Sequence, residues 1–182
     1  FTVMLAEPGA NIVGLDISNA MLAQGRAKAR RAGVADHIEF LRGDAARLPF
    51  PDDHFDAVFA MRFFHLAETP AKFMAEMARV SKHRVFFDTF NRRSTRVVYN
   101  WLLPMGSHLY SASQVERLLD DAGLRLVNGE HDFLLPYGFY RKIPNGIARE
   151  FRDIDTSLGE TAIGDALASV SYWTATVGDG ET

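Results

Sequence analysis

The 182-residue sequence predicts an α/β protein with a doubly wound, mostly parallel sheet, and three observations lead there. Short apolar runs suited to buried strands recur at 12–16, 37–41, 55–60 and 84–90, with helical or loop segments between them. The first run, Ile12-Val13-Gly14-Leu15, is closed by Asp16, and the second is followed by Gly43-Asp44-Ala45. Acids at the carboxyl ends of parallel strands stand where open α/β sheets take their ligands.

The elements follow in order. Residues 1–7 have helix-forming composition and stop at Pro8-Gly9, so they read as the tail of a helix. After the strand at 12–16, Ser18 caps a helix that carries Met21, Leu22 and Ala29 on its apolar side and ends at Gly33. A second strand at 37–41 leads into a Pro- and Asp-rich loop. Phe55-Asp56-Ala57-Val58-Phe59-Ala60 is then a compact run typical of a central parallel strand. Thr69 caps the next helix with Pro70 at its first position, and Phe73, Met77 and Val80 make its buried face. A strand at 84–90 precedes an aromatic stretch, 91–110, without clear period. Ser111 and Gln114 form a capping box that opens a helix through Val115, Leu118, Leu119 and Ala122 to Gly123. Residues 124–133 are strand-like. Ile147, Phe151, Ile154 and Leu158 give 144–167 partial helical spacing, and 168–177 alternates as a final strand. No repeat, low-complexity tract or linker interrupts the chain, which is expected to be one domain over 1–182.

Composition narrows the function classes. The 47% hydrophobic and 24% charged fractions are those of an ordinary globular protein. A formal charge of -3 argues against a nucleic-acid partner, and the small cluster Arg92, Arg93 and Arg96 reads as solvated surface. The absence of cysteine excludes disulfides, thiolate metal sites and cysteine nucleophiles, and points to a cytoplasmic protein. No apolar run is long enough for a membrane span, and nothing in the sequence calls for a metal.

The sharpest constellation is Gly14-Leu15-Asp16-Ile17-Ser18, then Gly43-Asp44-Ala45, then the tract from Leu48-Pro49-Phe50 to Phe55-Asp56-Ala57-Val58. With these residues the chain closely resembles the class I S-adenosylmethionine-dependent methyltransferases, particularly the small-molecule group of ubiquinone and menaquinone biosynthesis. The resemblance is strong over 1–91 and rests on element order beyond. It implies a Rossmann-like sheet with an antiparallel C-terminal strand. It also implies that the first strand, with its acidic residue and Gly-x-Gly turn, is missing from this chain and lies upstream of Phe1.

Residue by residue, the resemblance gives Asp16 the ribose hydroxyls, Ile17 a wall of the adenine pocket, and Asp44, with the Ala45 backbone beside it, the exocyclic adenine amine. It runs the backbone of Ala60, Met61 and Arg62 beside the methionine portion and reactive methyl of S-adenosylmethionine, and leaves Asp56 to fix the strand entry. Taken singly, an Asp after a strand is also a turn former or helix cap. Arg62 serves either the cofactor carboxylate or the surface. Methyl transfer is catalysis by alignment, so no catalytic residue is required unless the acceptor must lose a proton. His65, His108 and Tyr110 are the candidates for such a base, although a lone His such as His65 is more often a packing residue.

The segments 91–110 and 134–167 are expected to cover the acceptor. The apolar and aromatic content of 99–110, with Tyr137 and Tyr140, suits a greasy or aromatic small molecule. Trp101 and Leu102 serve equally as core or as a homodimer contact. Two rival functions remain: a non-catalytic Rossmann-like binding domain, and an NAD-dependent dehydrogenase fragment, against which stands the lack of a Tyr-x-x-x-Lys pair.

Overall fold

The computed structural model describes residues 1–7, 9–94, 97, 107–132 and 168–178. The chain divides into two compact units, Phe1–Pro51 and Asp52–Thr182.

The first unit is a βαβ arrangement. Helix α1 (Thr2–Ala6) precedes strand β1 (Ile12–Asp16), helix α2 (Asn19–Ala32) and, after a single 3-10 turn at Ala35–His37, strand β2 (Ile38–Arg42). The two strands run parallel, from Ile12 opposite Ile38 to Asp16 opposite Arg42. Local chemistry sets the limits of α2. Ser18 Oγ accepts the Met21 N–H at 3.4 Å, and Gly33 closes the helix at φ 73° in the left-handed region that glycine enters without strain. Ala6, Ala29, Val34 and Ile38 form the core, with Val3, Ile12 and Phe40 packed against it. Gly25 lets α2 approach β2, since a Cβ there would stand 2.6 Å from the Phe40 ring. Leu22 and Ala29 are buried as expected, but Met21 is 54% exposed and does not belong to the apolar side.

The second unit is a four-stranded mixed sheet in the order β3-β4-β6-β5. Its elements are β3 (Phe55–Ala60), α3 (Pro70–Val80), β4 (Ser81–Phe90), α4 (Ala112–Asp121), β5 (Leu124–Asp132) and β6 (Val170–Val177). Strands β3 and β4 are parallel, whereas β6 is antiparallel to both neighbours. The fold is therefore α/β and Rossmann-like, with the antiparallel C-terminal strand in place. Val85 and Phe87 of β4 and Trp173 and Ala175 of β6 form one core with Met74, Met77 and Ala78 of α3 and Val115 and Leu119 of α4.

Three local expectations change here. Thr69 occupies the position before α3 but makes no side-chain cap bond, so the fixed φ of Pro70 at the first turn is the start signal that remains. Met74, Met77, Ala78 and Val80 are the buried residues of α3, while Phe73 is half-buried with its ring edge-on to Phe63 at 4.7 Å. Strand β4 begins at Ser81, directly after α3, because Ser81 pairs with Phe55 and its hydroxyl donates to the Arg84 carbonyl at 2.9 Å. The predicted helix within 144–167, with Ile147, Phe151, Ile154 and Leu158, lies outside the described residues, as do Arg96, Tyr99, Trp101, Leu102, Tyr137 and Tyr140.

The capping box of α4 is complete: Ser111 Oγ accepts the Gln114 N–H at 3.3 Å and Gln114 Oε1 accepts the Ser111 N–H at 2.9 Å. Replacing Ser111 by alanine is expected to cost about 1 kcal/mol, read as a lower urea midpoint with unchanged slope.

Candidate cofactor and acceptor residues

In the first unit the two aspartates sit at neighbouring strand ends. Asp16 is the last residue of β1, opposite Arg42, and its carbonyl accepts the Gly43 N–H at 3.3 Å. Asp44 follows at once. Gly43 permits this close passage, because a Cβ there would meet Leu15 Cδ1 at 2.8 Å. Each carboxylate spends one oxygen on a local turn: Asp16 Oδ1 accepts the Ser18 N–H at 2.8 Å, and Asp44 Oδ1 accepts the Ala46 N–H at 2.9 Å. The turn-forming and ligand-binding uses are thus compatible. Neither Oδ2 has a hydrogen-bond partner among the described residues.

Ile17, inside the first of these turns, is 67% exposed, and its carbonyl accepts from Arg42 Nε at 3.2 Å. Ala45 is half-buried. Two open carboxylate oxygens and an exposed apolar side chain are of the kind a nucleoside needs: acceptors for hydroxyl and amine donors, and an apolar contact for a base. The residues present fit the adenosine half of S-adenosylmethionine.

In the second unit Ala60 ends β3 opposite Phe87, and the half-buried Met61 follows. Arg62 then takes a left-handed backbone, φ 59°, uncommon for a residue with a side chain. Its N–H donates to Asp88 Oδ1 at 2.5 Å and its Nε stands 3.9 Å from Asp88 Oδ2. Arg62 therefore has a use beyond the cofactor carboxylate and the surface: it clasps a carboxylate that is only 2% exposed.

His65, His108 and Tyr110, far apart in sequence, meet around the 3-10 turn at Phe64–Leu66. The His108 N–H donates to the His65 carbonyl at 2.9 Å, and the Tyr110 hydroxyl donates to the Phe64 carbonyl at 3.1 Å. The His65 ring packs on Phe90 with centroids 4.4 Å apart. His108 is exposed, whereas Tyr110 is buried and that burial raises its phenol pKa. Its hydroxyl is thereby kept as a protonated donor to the backbone. Asp56 makes an exposed ion pair with Lys82 at 3.7 Å.

Sequence reasoning missed Asp88, though a lone acid inside Val85-Phe86-Phe87-Asp88-Thr89-Phe90 was a usable signal. It also missed a polar row in register across three strands, Thr89, Ser171 and His131. There His131 Nδ1 lies 2.8 Å from Ser171 Oγ, and Trp173 Nε1 donates to Thr89 Oγ1 at 2.8 Å. Among the described residues no helix is long and apolar enough to cross a membrane.

Comparison with solved structures shows the fold. The chain matches magnesium protoporphyrin IX methyltransferase (ChlM) from Synechocystis PCC 6803 with bound SAH at a TM-score of 0.69, covering 97% of this chain and 68% of that one at 15% identity. It matches the [4+2]-cyclase SpnF at the same score, covering 94% of this chain and 68% of that one at 23% identity. The protein has the Rossmann-like methyltransferase fold. Residues 1–87 match the methyltransferase domain family, of the class I S-adenosylmethionine-dependent type. S-adenosylmethionine is the methyl donor of that family.

Among curated proteins, the ubiquinone/menaquinone biosynthesis C-methyltransferase UbiE of Pseudomonas putida is 48% identical over 54 residues, 30% of this chain and 21% of that protein. The sterol 24-C-methyltransferase ERG6B of Gibberella zeae is 32% identical over 95 residues, 52% of this chain and 23% of that protein. The chain thus spans about a fifth of the length of these relatives.

Proposed function

We propose that this chain binds S-adenosylmethionine and moves its methyl group to a small apolar or aromatic acceptor by in-line displacement. The observation that carries the reading is the pair of strand-end aspartates, each fixed by a turn through one oxygen and open at the other. Asp16 takes the ribose hydroxyls and Asp44 the adenine amine, with Ile17 and Ala45 lining the base. Ala60, Met61 and Arg62 serve the methionine end. When bound, the sulfonium supplies an electrophilic methyl and a neutral leaving group. The protein's part is to bind, align and exclude water, which is catalysis by proximity.

An acceptor that must lose a proton needs a base, and His65 or His108 takes that role. Tyr110, a buried donor, supports the turn instead. Residues 1–182 act as one methyltransferase domain, with 91–110 and 134–167 covering the acceptor. An apolar acceptor is favoured by the aromatic content of 99–110 and by the similarity to two C-methyltransferases, one of quinone biosynthesis and one of sterols.

Calorimetric titration with S-adenosylhomocysteine, and separately with NAD, tests the cofactor. Saturable heat with the first and none with the second is expected; the reverse, or silence with both, sinks the reading. Because SpnF shares the fold and is a cyclase, turnover is measured apart from binding. A methyl-transfer screen over quinols, phenols and small amines is expected to give product with the aromatic acceptors, and activity confined to the amines would overturn the acceptor class.

A further inference from the structure

We infer that Asp88 is a positioning residue for the proposed methyl transfer, its buried carboxylate holding the chain at Arg62 in the turn that presents the 60–62 segment. This rests on the reading of that segment as serving the cofactor's methionine end. The parallel ladder between β3 and β4 has its last pair at Ala60 and Phe87. One step further the backbone leaves the ladder, and the Asp88 side chain, not a main-chain carbonyl, accepts the Arg62 N–H at 2.5 Å.

That bond holds Arg62 at φ 59°, a conformation that persists only where its surroundings over-determine it. The other oxygen faces the Arg62 guanidinium at 3.9 Å, so one carboxylate meets the same residue through backbone and side chain. Its location makes the arrangement informative. Asp88 is 2% exposed, between Phe87 and Thr89 in a largely apolar strand, where a carboxyl group is expensive to bury unless it is engaged. The Arg62 side chain, by contrast, is 40% exposed. A buried carboxyl group whose oxygen accepts from an exposed turn at the carboxyl end of a parallel strand fixes the path of that turn, and catalysis by alignment depends on such paths.

The test separates positioning from plain structural support by using glycine, which adopts φ near 60° without strain. Arg62→Gly and Arg62→Gly/Asp88→Ala are expected to melt within a few degrees of each other. The double variant is nonetheless expected to lose about tenfold or more in kcat/KM for S-adenosylmethionine relative to the single one. In the otherwise unaltered chain, Asp88→Asn keeps an oxygen for the Arg62 N–H and is expected to stay within about fivefold of wild type, while Asp88→Ala falls on the order of 100-fold. Equal activity of the two glycine variants, or an Asp88→Asn as slow as Asp88→Ala, overturns the proposal. An NMR readout stands apart from activity: the Arg62 amide proton should lie far downfield in wild type and move upfield in Asp88→Ala. An ordinary shift in wild type removes the clasp itself, whereas failure of wild type to bind S-adenosylhomocysteine removes the reading of 60–62 and leaves the clasp standing.

Discussion

Asp16→Ala is expected to weaken S-adenosylhomocysteine binding about 100-fold, since hydrogen bonds to a charged group are each worth about 1.5–3 kcal/mol and 1.4 kcal/mol is a factor of ten. The two roles of the carboxylate make the comparison with Asp16→Asn decisive. Asparagine keeps an oxygen for the Ser18 N–H, now accepted by Asp16 Oδ1 at 2.8 Å, so the turn into α2 survives. It replaces the open Oδ2 by an amide that can only donate, which repels a ribose hydroxyl's proton. Asp16→Asn should therefore melt like wild type and still bind about tenfold or more weakly, whereas Asp16→Ala should lose both the turn and the ligand. Asp44→Ala is expected to lose less, about tenfold, because its side chain is exposed and in the proposed role meets a single amine. If binding by the Asp16 variants simply tracks their melting temperatures, the carboxylate is a turn former and nothing more.

What the sequence made legible is what local chemistry decides. The run from Phe55 to Ala60 is the strand it spells, Gly33 takes the left-handed end of α2, and Ser111 with Gln114 closes both halves of a cap. Each signal acts within a few residues. What the sequence did not show depends on distant partners. Phe73 has the right spacing for the core but turns edge-on to Phe63, leaving Met74 in the buried stripe. Tyr110 has the chemistry of a base, yet its hydroxyl is committed to Phe64, 46 positions away in sequence. The position of β6 between β4 and β5 is likewise a matter of long-range pairing, and resemblance, not periodicity, pointed to its direction.

The candidate site divides the same way. Asp16 and Asp44 could be placed at strand ends from the sequence, and the ends of parallel strands are where open sheets take their ligands. That each carboxylate would bond its own turn through one oxygen and keep the other open depends on rotamers that no spacing encodes. Asp88 carried a signal in composition alone, an acid in an apolar run, but its partner is a residue whose left-handed backbone appears only after folding.

The largest stability effect is expected at Trp173. Trp173→Ala should cost about 3–5 kcal/mol, a large share of the roughly 5–15 kcal/mol that holds a domain folded. Trp173 is 5% exposed in the core shared with Phe87 and Ala175, its Nε1 donates to the buried Thr89 hydroxyl at 2.8 Å, and the His131 ring stands edge-on at 5.6 Å. Truncation leaves a cavity and strips Thr89 of that donor. Across the ladder Gly129 lies directly opposite Trp173, and a Cβ there would stand 2.8 Å from Trp173 Cζ3 and 3.0 Å from Cε3. With the indole buried and bonded to Thr89, Gly129→Ala should cost about 1–3 kcal/mol by overpacking. In the Trp173→Ala background the clash has no second party, and alanine relieves the entropic penalty of glycine in a strand. Gly129→Ala should then be neutral or stabilising, a reversal of sign that a double-mutant cycle in urea measures as coupling between the pair. Additive costs would mean that the β5 backbone yields at Gly129, and that the glycine is there for a reason other than the indole it faces.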